Sequence, residues 1–209
     1  WMDLVPDVLG PTDVLGTVTT GAAAALGVPV GIPVSPGSGD NMAGARGLGL
    51  QPGDVALSLG TSGVVSAVSP TPTADASGAV AGFADATGGF LPLVCTLNAT
   101  KVTDTVARWL GQDHQTFASA ALAAPLGANG VVLTPYFDGE RTPNLPDATG
   151  TFDGLRNDTT SEDLARAAHE GVLRGLLFGL TALADAGASV SGRLHLVGGG
   201  SKSPAYRQI

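Results

Sequence analysis

A mixed α/β fold is predicted by three features of the 209-residue sequence. Short apolar runs bounded by glycine, such as 55–59 and 64–68, have the length and composition of strands. The segment 161–186 repeats Leu164, Ala168, Val172, Leu176, Leu180 and Ala184 at four-residue spacing. Leu173, Leu177 and Leu183 widen that stripe, the pattern of a long amphipathic helix. Strands and helices then alternate without an internal repeat or a long linker, which suits layers of helix on sheet.

The elements follow in order. Residues 1–36 hold short segments broken by Pro and Gly, with a helix at 19–26 stopped by Gly27 and the end of a strand at 28–34. A helix over 41–48 faces its Ala and Met inward. The run 55–59, a four-residue turn at 60–63 and a return at 64–68 make a hairpin. A polar loop covers 70–78, and 80–84 and 90–96 are further strands of the same sheet. Helices are expected at 104–110 and 115–122, with Trp109 in the core, and a strand at 131–136. The connection 137–157 is long enough to be functional or a domain joint. Thr159 and Glu162 form a capping box for the long helix, and Gly187 stops it. A strand at 194–197 runs into Gly198-Gly199-Gly200, and a helix begins at Ser203.

Composition narrows the function. Ten basic against eighteen acidic side chains leave a net charge of −8, and no basic run exists, so a nucleic-acid partner is not expected. The single cysteine, Cys95, excludes an internal disulfide and suits a reducing, cytoplasmic setting. No apolar stretch approaches the ~20 residues of a membrane span, and Trp1-Met2-Asp3-Leu4 lacks the character of a signal peptide. A start at Trp1 and an end at Ile209, just after a helix begins, read as part of a longer chain.

Four constellations could carry chemistry. Gly60-Thr61-Ser62-Gly63 fits either a phosphate cradle or an ordinary hairpin turn. Gly198-Gly199-Gly200-Ser201-Lys202-Ser203 fits a ligand-facing strand-to-helix turn or a structural one. It has neither P-loop nor dinucleotide spacing. Asp40, after Gly37-Ser38-Gly39, is either a helix N-cap or a general base on a ligand-facing loop. The charged run 136–143 reads as an ion-paired joint. The three histidines lack metal spacing; His195 reads as a satisfied strand residue and His169 as lying on the polar edge of its helix. Asp138, Glu140, Asp147 and Asp153 read as solvated loop charges.

Taken in this order, the motifs resemble the FGGY family of carbohydrate kinases from about Pro6 to Arg207. The run Gly150-Thr151-Phe152-Asp153-Gly154-Leu155, followed by Asp163-Leu164, Ala167 and Glu170, is similar to the family's second signature; His169 departs where an apolar residue is usual. Gly39-Asp40-Asn41 with Ala43-Gly44-Ala45, and Gly-Glu-Arg-Thr-Pro at 139–143, resemble the xylulose-phosphorylating branch. The resemblance implies an actin-like (ribonuclease H-like) ATPase fold. Residues 1–48 would be the tail of a first, sugar-binding domain, and 49–209 an incomplete second, nucleotide-binding domain.

It also implies ATP and Mg²⁺ as cofactors and transfer of phosphate to a sugar hydroxyl, D-xylulose first. Asp40 would be the base and would bind the sugar together with Asn41. Gly60, Thr61 and Ser62 would hold the outer phosphates, and Gly199, Gly200 and Ser203 would line the adenosine pocket. No dedicated metal ligands are implied, no membrane partner is expected, and a homodimer is left open. The chain alone is expected to be inactive. The alternatives are a sibling kinase for glycerol, gluconate or ribulose, and a non-catalytic actin-like nucleotide-binding protein.

Overall fold

A computed structural model of the chain describes residues 4–209; residues 1–3, where the signal-peptide and first-domain readings begin, lie outside the described residues. Strand β1 (Gly16–Thr17) pairs antiparallel with β2 (Pro33–Val34) around helix α1 (Thr20–Leu26). The Thr19 hydroxyl accepts the Ala22 N–H to cap α1, and Gly27 ends it at φ 69°. The strand expected over 28–34 shrinks to its last two residues, because Gly31 turns the chain at φ 83°. Helix α2 (Asp40–Gly47) buries Met42 and Ala45, which join Val68 and Leu91 in a small cluster.

Strands β3 (Val55–Leu59) and β4 (Gly63–Ala67) form the expected hairpin. Its tip is tighter than read. Gly63 already pairs with Leu59, and a Cβ there would lie 2.7 Å from the Leu176 and Thr96 side chains. Strand β5 (Leu93–Thr96) adds to β4. The strand expected at 80–84 is not formed. Ala81 bridges Leu93 and Ala84 bridges Phe90, but between them the chain faces Pro92, which has no N–H with which to continue a ladder.

Helix α3 (Thr100–Trp109) begins four residues earlier than expected, because the hairpin tip caps it: the Gly60 carbonyl accepts the Thr100 N–H and hydroxyl, and the Thr61 carbonyl accepts the Ala99 N–H. Helix α4 (His114–Ala123) begins one residue early behind an Asp113 cap. Trp109 is not in the core. It is 60% exposed and packs its ring 5.4 Å from that of Phe137.

The long connection holds a strand of its own. Strand β6 (Val132–Thr134) pairs antiparallel with β7 (Thr151–Asp153). Among the described residues, Lys101 and Asp138 make the one ion pair of the expected joint, at 2.8 Å. Glu140 is not a solvated charge. It is buried and accepts N–H groups from Leu97 (2.6 Å), Arg141 (2.7 Å) and the Asn98 amide (3.0 Å).

Helix α5 (Ser161–Asp185) is the central beam. Its capping box lies one residue beyond the expected Thr159 and Glu162 pair. The Thr160 hydroxyl accepts the Asp163 N–H, and the Asp163 carboxylate accepts the Thr160 N–H. The Gly187 and Ala188 N–H groups close the far end on Ala184 and Leu183, with Gly187 at φ 90°. Val172, Leu176 and Leu183 of the stripe are fully buried, whereas Leu177 and Ala184 face solvent. Residues 165–172 are buried all round, because the helices and β6 enclose that half of α5; a Cβ on Gly171 would lie 2.5 Å from the Leu133 carbonyl.

Strand β8 (Leu194–Val197) runs parallel to β3 and completes the sheet order β5-β4-β3-β8. A 3₁₀ turn, Gly199–Lys202, leads into helix α6 (Pro204–Gln208). At the opposite end of β3, the Arg193 guanidinium and backbone N–H, with the Gln51 N–H, hold the Asp54 carboxyl well below the usual carboxylate range. His195 is not satisfied: its Nε2 is buried without a hydrogen bond, 3.8 Å from an Asp54 oxygen that Arg193 already occupies. Among the described residues, no helix is long and apolar enough to cross a membrane.

Candidate functional site

Two glycine turns from distant parts of the sequence meet because β3 and β8 are parallel and in register, Ser58 opposite Val197. Their C-terminal ends therefore lie side by side, where ligands collect on sheets of this kind. The 198–200 turn is seated directly on the hairpin. At Gly198, φ is 84° and a Cβ would lie 2.6 Å from the Leu59 carbonyl oxygen; at Gly200 it would lie 2.7 Å from the Leu59 Cβ. Gly199 instead has open space around it. Glycine is required at 198 and 200 by close packing, and at 199 it leaves backbone facing the void.

That void is a cavity of about 800 Å³, within the ~300–1,000 Å³ of small-molecule sites. Gly60, Thr61, Gly199, Gly200 and Ser203 all line it. Ser62 stands exposed on the hairpin tip, outside the lining. Lys202 is the one Lys or Arg in the wall, so an anionic ligand would depend on backbone N–H groups and hydroxyls. The Thr61 and Ser203 hydroxyls make no hydrogen bonds among the described residues. The Thr100 hydroxyl is spent on Gly60.

The other walls escaped the sequence reading. Helix α3 supplies Thr103 and Asp104, α4 supplies Phe117, α5 supplies His169 and α6 supplies Tyr206. His169 is not on a polar edge; it is 2% exposed, with Phe117 and Tyr206 rings 5.2 and 4.6 Å away. Its Nδ1 lies 2.9 Å from the Ala165 carbonyl. Burial, aided by the charge of Arg166, pushes its pKa down to about 4. Burial likewise raises the Tyr206 phenol, whose oxygen lies 3.1 Å from the Thr103 hydroxyl. The departure of His169 from an apolar pattern was the only sequence signal for any of these residues.

Asp40 and Asn41 open on a different cavity, of about 450 Å³, shared with Pro36, Met42, Phe83 and Asp85. Asp40 is not the N-cap of α2. Gly39 is, and Asp40 occupies the first helical position, exposed, accepting among the described residues only the Asn41 N–H at 2.8 Å. The carboxylate is thus free on its outer side. The glycine turns share one cavity, and the Asp40–Asn41 pair has its own.

The turn geometry makes a direct prediction. Gly198→Ala should force the 198–200 turn off Leu59 and impose a left-handed backbone on alanine, costing ~1–3 kcal/mol. A melting temperature equal to that of the unsubstituted protein would contradict the seating described.

Comparison with known proteins gives concordant matches. Residues 55–209 match the family model described as "FGGY family of carbohydrate kinases, C-terminal domain". The chain is 47% identical over 205 residues to a xylulose kinase of Streptomyces coelicolor, covering 98% of this chain and 40% of that protein. Among solved structures, a xylulose kinase from Bifidobacterium adolescentis superposes with TM-score 0.85 at 49% identity, over 97% of this chain and 40% of its own. A gluconate kinase from Lactobacillus acidophilus superposes with TM-score 0.87 at 26% identity, over 97% and 42%. The chain spans about 40% of the length of the curated relatives it matches.

Proposed function

The chain belongs to the FGGY family of carbohydrate kinases, and on that premise we propose that it is the nucleotide-binding part of an ATP-dependent xylulose kinase. The observation that carries this reading is the meeting of two glycine turns on one cavity, through Gly60 and Thr61 on one side and Gly199 and Gly200 on the other. Residues 49–209 form the nucleotide-binding domain, and residues 1–48 are the end of a preceding sugar-binding domain. The resemblance to the xylulose-phosphorylating branch at 39–45 and 139–143, together with relatives that are xylulose kinases, supports D-xylulose as acceptor.

Each residue then has a role. Gly60 lets the outer phosphates approach closely, its own N–H being donated to the Ser62 carbonyl, while Thr61, with Ser62 at the tip, holds them through backbone N–H groups and hydroxyls. Gly199, Gly200 and Ser203 line the adenosine side. Mg²⁺ would be held with the nucleotide through phosphate and water. When bound, Mg²⁺ supplies neutralisation of phosphate charge. Asp40 accepts the proton of the sugar hydroxyl as that oxygen attacks, and Asn41 orients the sugar beside it. Phosphoryl transfer asks mainly for alignment and charge stabilisation, to which a carboxylate base and a backbone cradle are this chain's contribution.

The test is ADP release by the full-length protein with MgATP and a panel of acceptors. Release with xylulose is expected. Release only with gluconate, glycerol or ribulose would move the acceptor, a choice the gluconate kinase superposition keeps in view. Nucleotide binding with no release on any acceptor would favour a non-catalytic nucleotide-binding protein.

A further inference from the structure

We propose that His169 selects the base of the nucleotide by accepting a hydrogen bond from the exocyclic amino group of a 6-aminopurine. This deepens the nucleotide reading and rests on it. His169 lies on α5, away from both glycine turns, yet it forms part of the same cavity wall. Helix α3 starts at the hairpin tip, and one turn along it Thr103 contacts Tyr206; the aromatic group around His169 is therefore about a helical turn along α3 from the hairpin tip. Phe117 and Tyr206 hold the imidazole from two neighbouring helices.

Its protonation follows from one contact. The Ala165 carbonyl can only accept, so at 2.9 Å the proton sits on Nδ1. The ring is neutral near pH 7 because burial disfavours the cation. Nε2 must then carry a lone pair, and no group among the described residues donates to it. Its direction diverges from Nδ1 and so from the α5 backbone. An imidazole nitrogen with a lone pair and no protein donor, held between the Phe117 and Tyr206 rings, suits a ligand donor and penalises a ligand acceptor. The 6-amino group of adenine donates, whereas the 6-oxo group of hypoxanthine or guanine accepts.

The experiment compares three nucleotides by isothermal titration to the full-length protein: ATP, inosine triphosphate, and purine riboside triphosphate, which bears only hydrogen at position 6. The unsubstituted protein should bind ATP roughly tenfold or more tighter than inosine triphosphate, with purine riboside triphosphate between them. His169→Leu should weaken ATP roughly tenfold, leave purine riboside triphosphate unchanged and collapse the preference. The ligand series on the unsubstituted protein needs no variant to fold. Equal binding of ATP and inosine triphosphate would overturn this inference alone, as would a preference that survives His169→Leu. Failure of all three nucleotides to bind would overturn the nucleotide reading and this inference with it.

Discussion

Asp40→Ala should lower xylulose-dependent ADP release by ~10²–10⁴ while leaving ATP affinity unchanged. The size follows from the chemistry. An alcohol becomes a competent nucleophile as its proton leaves, and among the described residues Asp85 is the one other carboxylate lining the small cavity, with no histidine there. Asp85 is already occupied by the Thr87 hydroxyl and N–H and the Gly89 N–H, so it is a poor substitute. The sparing of ATP follows from the geometry, because the Asp40 cavity and the glycine-turn cavity have no lining residue in common. Asp40→Asn should behave like the alanine variant, since it keeps the shape and removes the base. Steady-state kinetics on both variants, with ATP binding measured by titration, decides the matter. Turnover close to that of the unsubstituted protein would reject Asp40 as base, and a parallel loss of ATP affinity would reject the separation of the two sites.

Glu170→Ala should destabilise the fold by ~3–5 kcal/mol, because it strands a buried cation. Arg166 and Glu170 are one helical turn apart on the enclosed half of α5, 2.5 Å apart and both about nine-tenths buried. The second function of Glu170 is to accept the Gly127 N–H, which anchors the loop before β6. The double variant Arg166→Met, Glu170→Met should recover much of the loss, since it removes charge from both partners.

The same carboxylate predicts a pH dependence. Burial pushes the Glu170 carboxyl up, but the bonds from Arg166 and Gly127 outweigh it, and the net position is below the ordinary value. The folded state therefore releases this proton more readily than the unfolded chain. Its contribution is complete above the unfolded carboxylate value and is lost as pH falls through the folded one. Urea titrations at descending pH should show a steeper acid loss in the unsubstituted protein than in Glu170→Ala. Parallel acid profiles would show that the pair carries no such linkage.

Much of the architecture was legible from local pattern. The β3–β4 hairpin, the long α5 and the β8 turn were read to within a residue or two, because period and glycine punctuation are local signals. Errors fell where a distant partner decided. Residues 80–84 have strand composition, yet Pro92 opposite them breaks the ladder. Helix α3 began early because carbonyls from the hairpin tip cap it. Trp109 and Glu140 exchanged their expected places, since Phe137 offers the indole a surface and Leu97, Asn98 and Arg141 offer the carboxylate buried donors.

By itself the sequence determined the α/β class, the family, and the residue types at Asp40, Gly60 and Gly198–Gly200, because these depend on spacing and on what glycine and carboxylate can do. Only the tertiary structure decided that the two glycine turns share a cavity, that Asp40 faces another, and that His169 is buried in the wall of the first. Those facts depend on the parallel pairing of strands more than a hundred residues apart and on three helices packing around one imidazole, neither of which has a local signature.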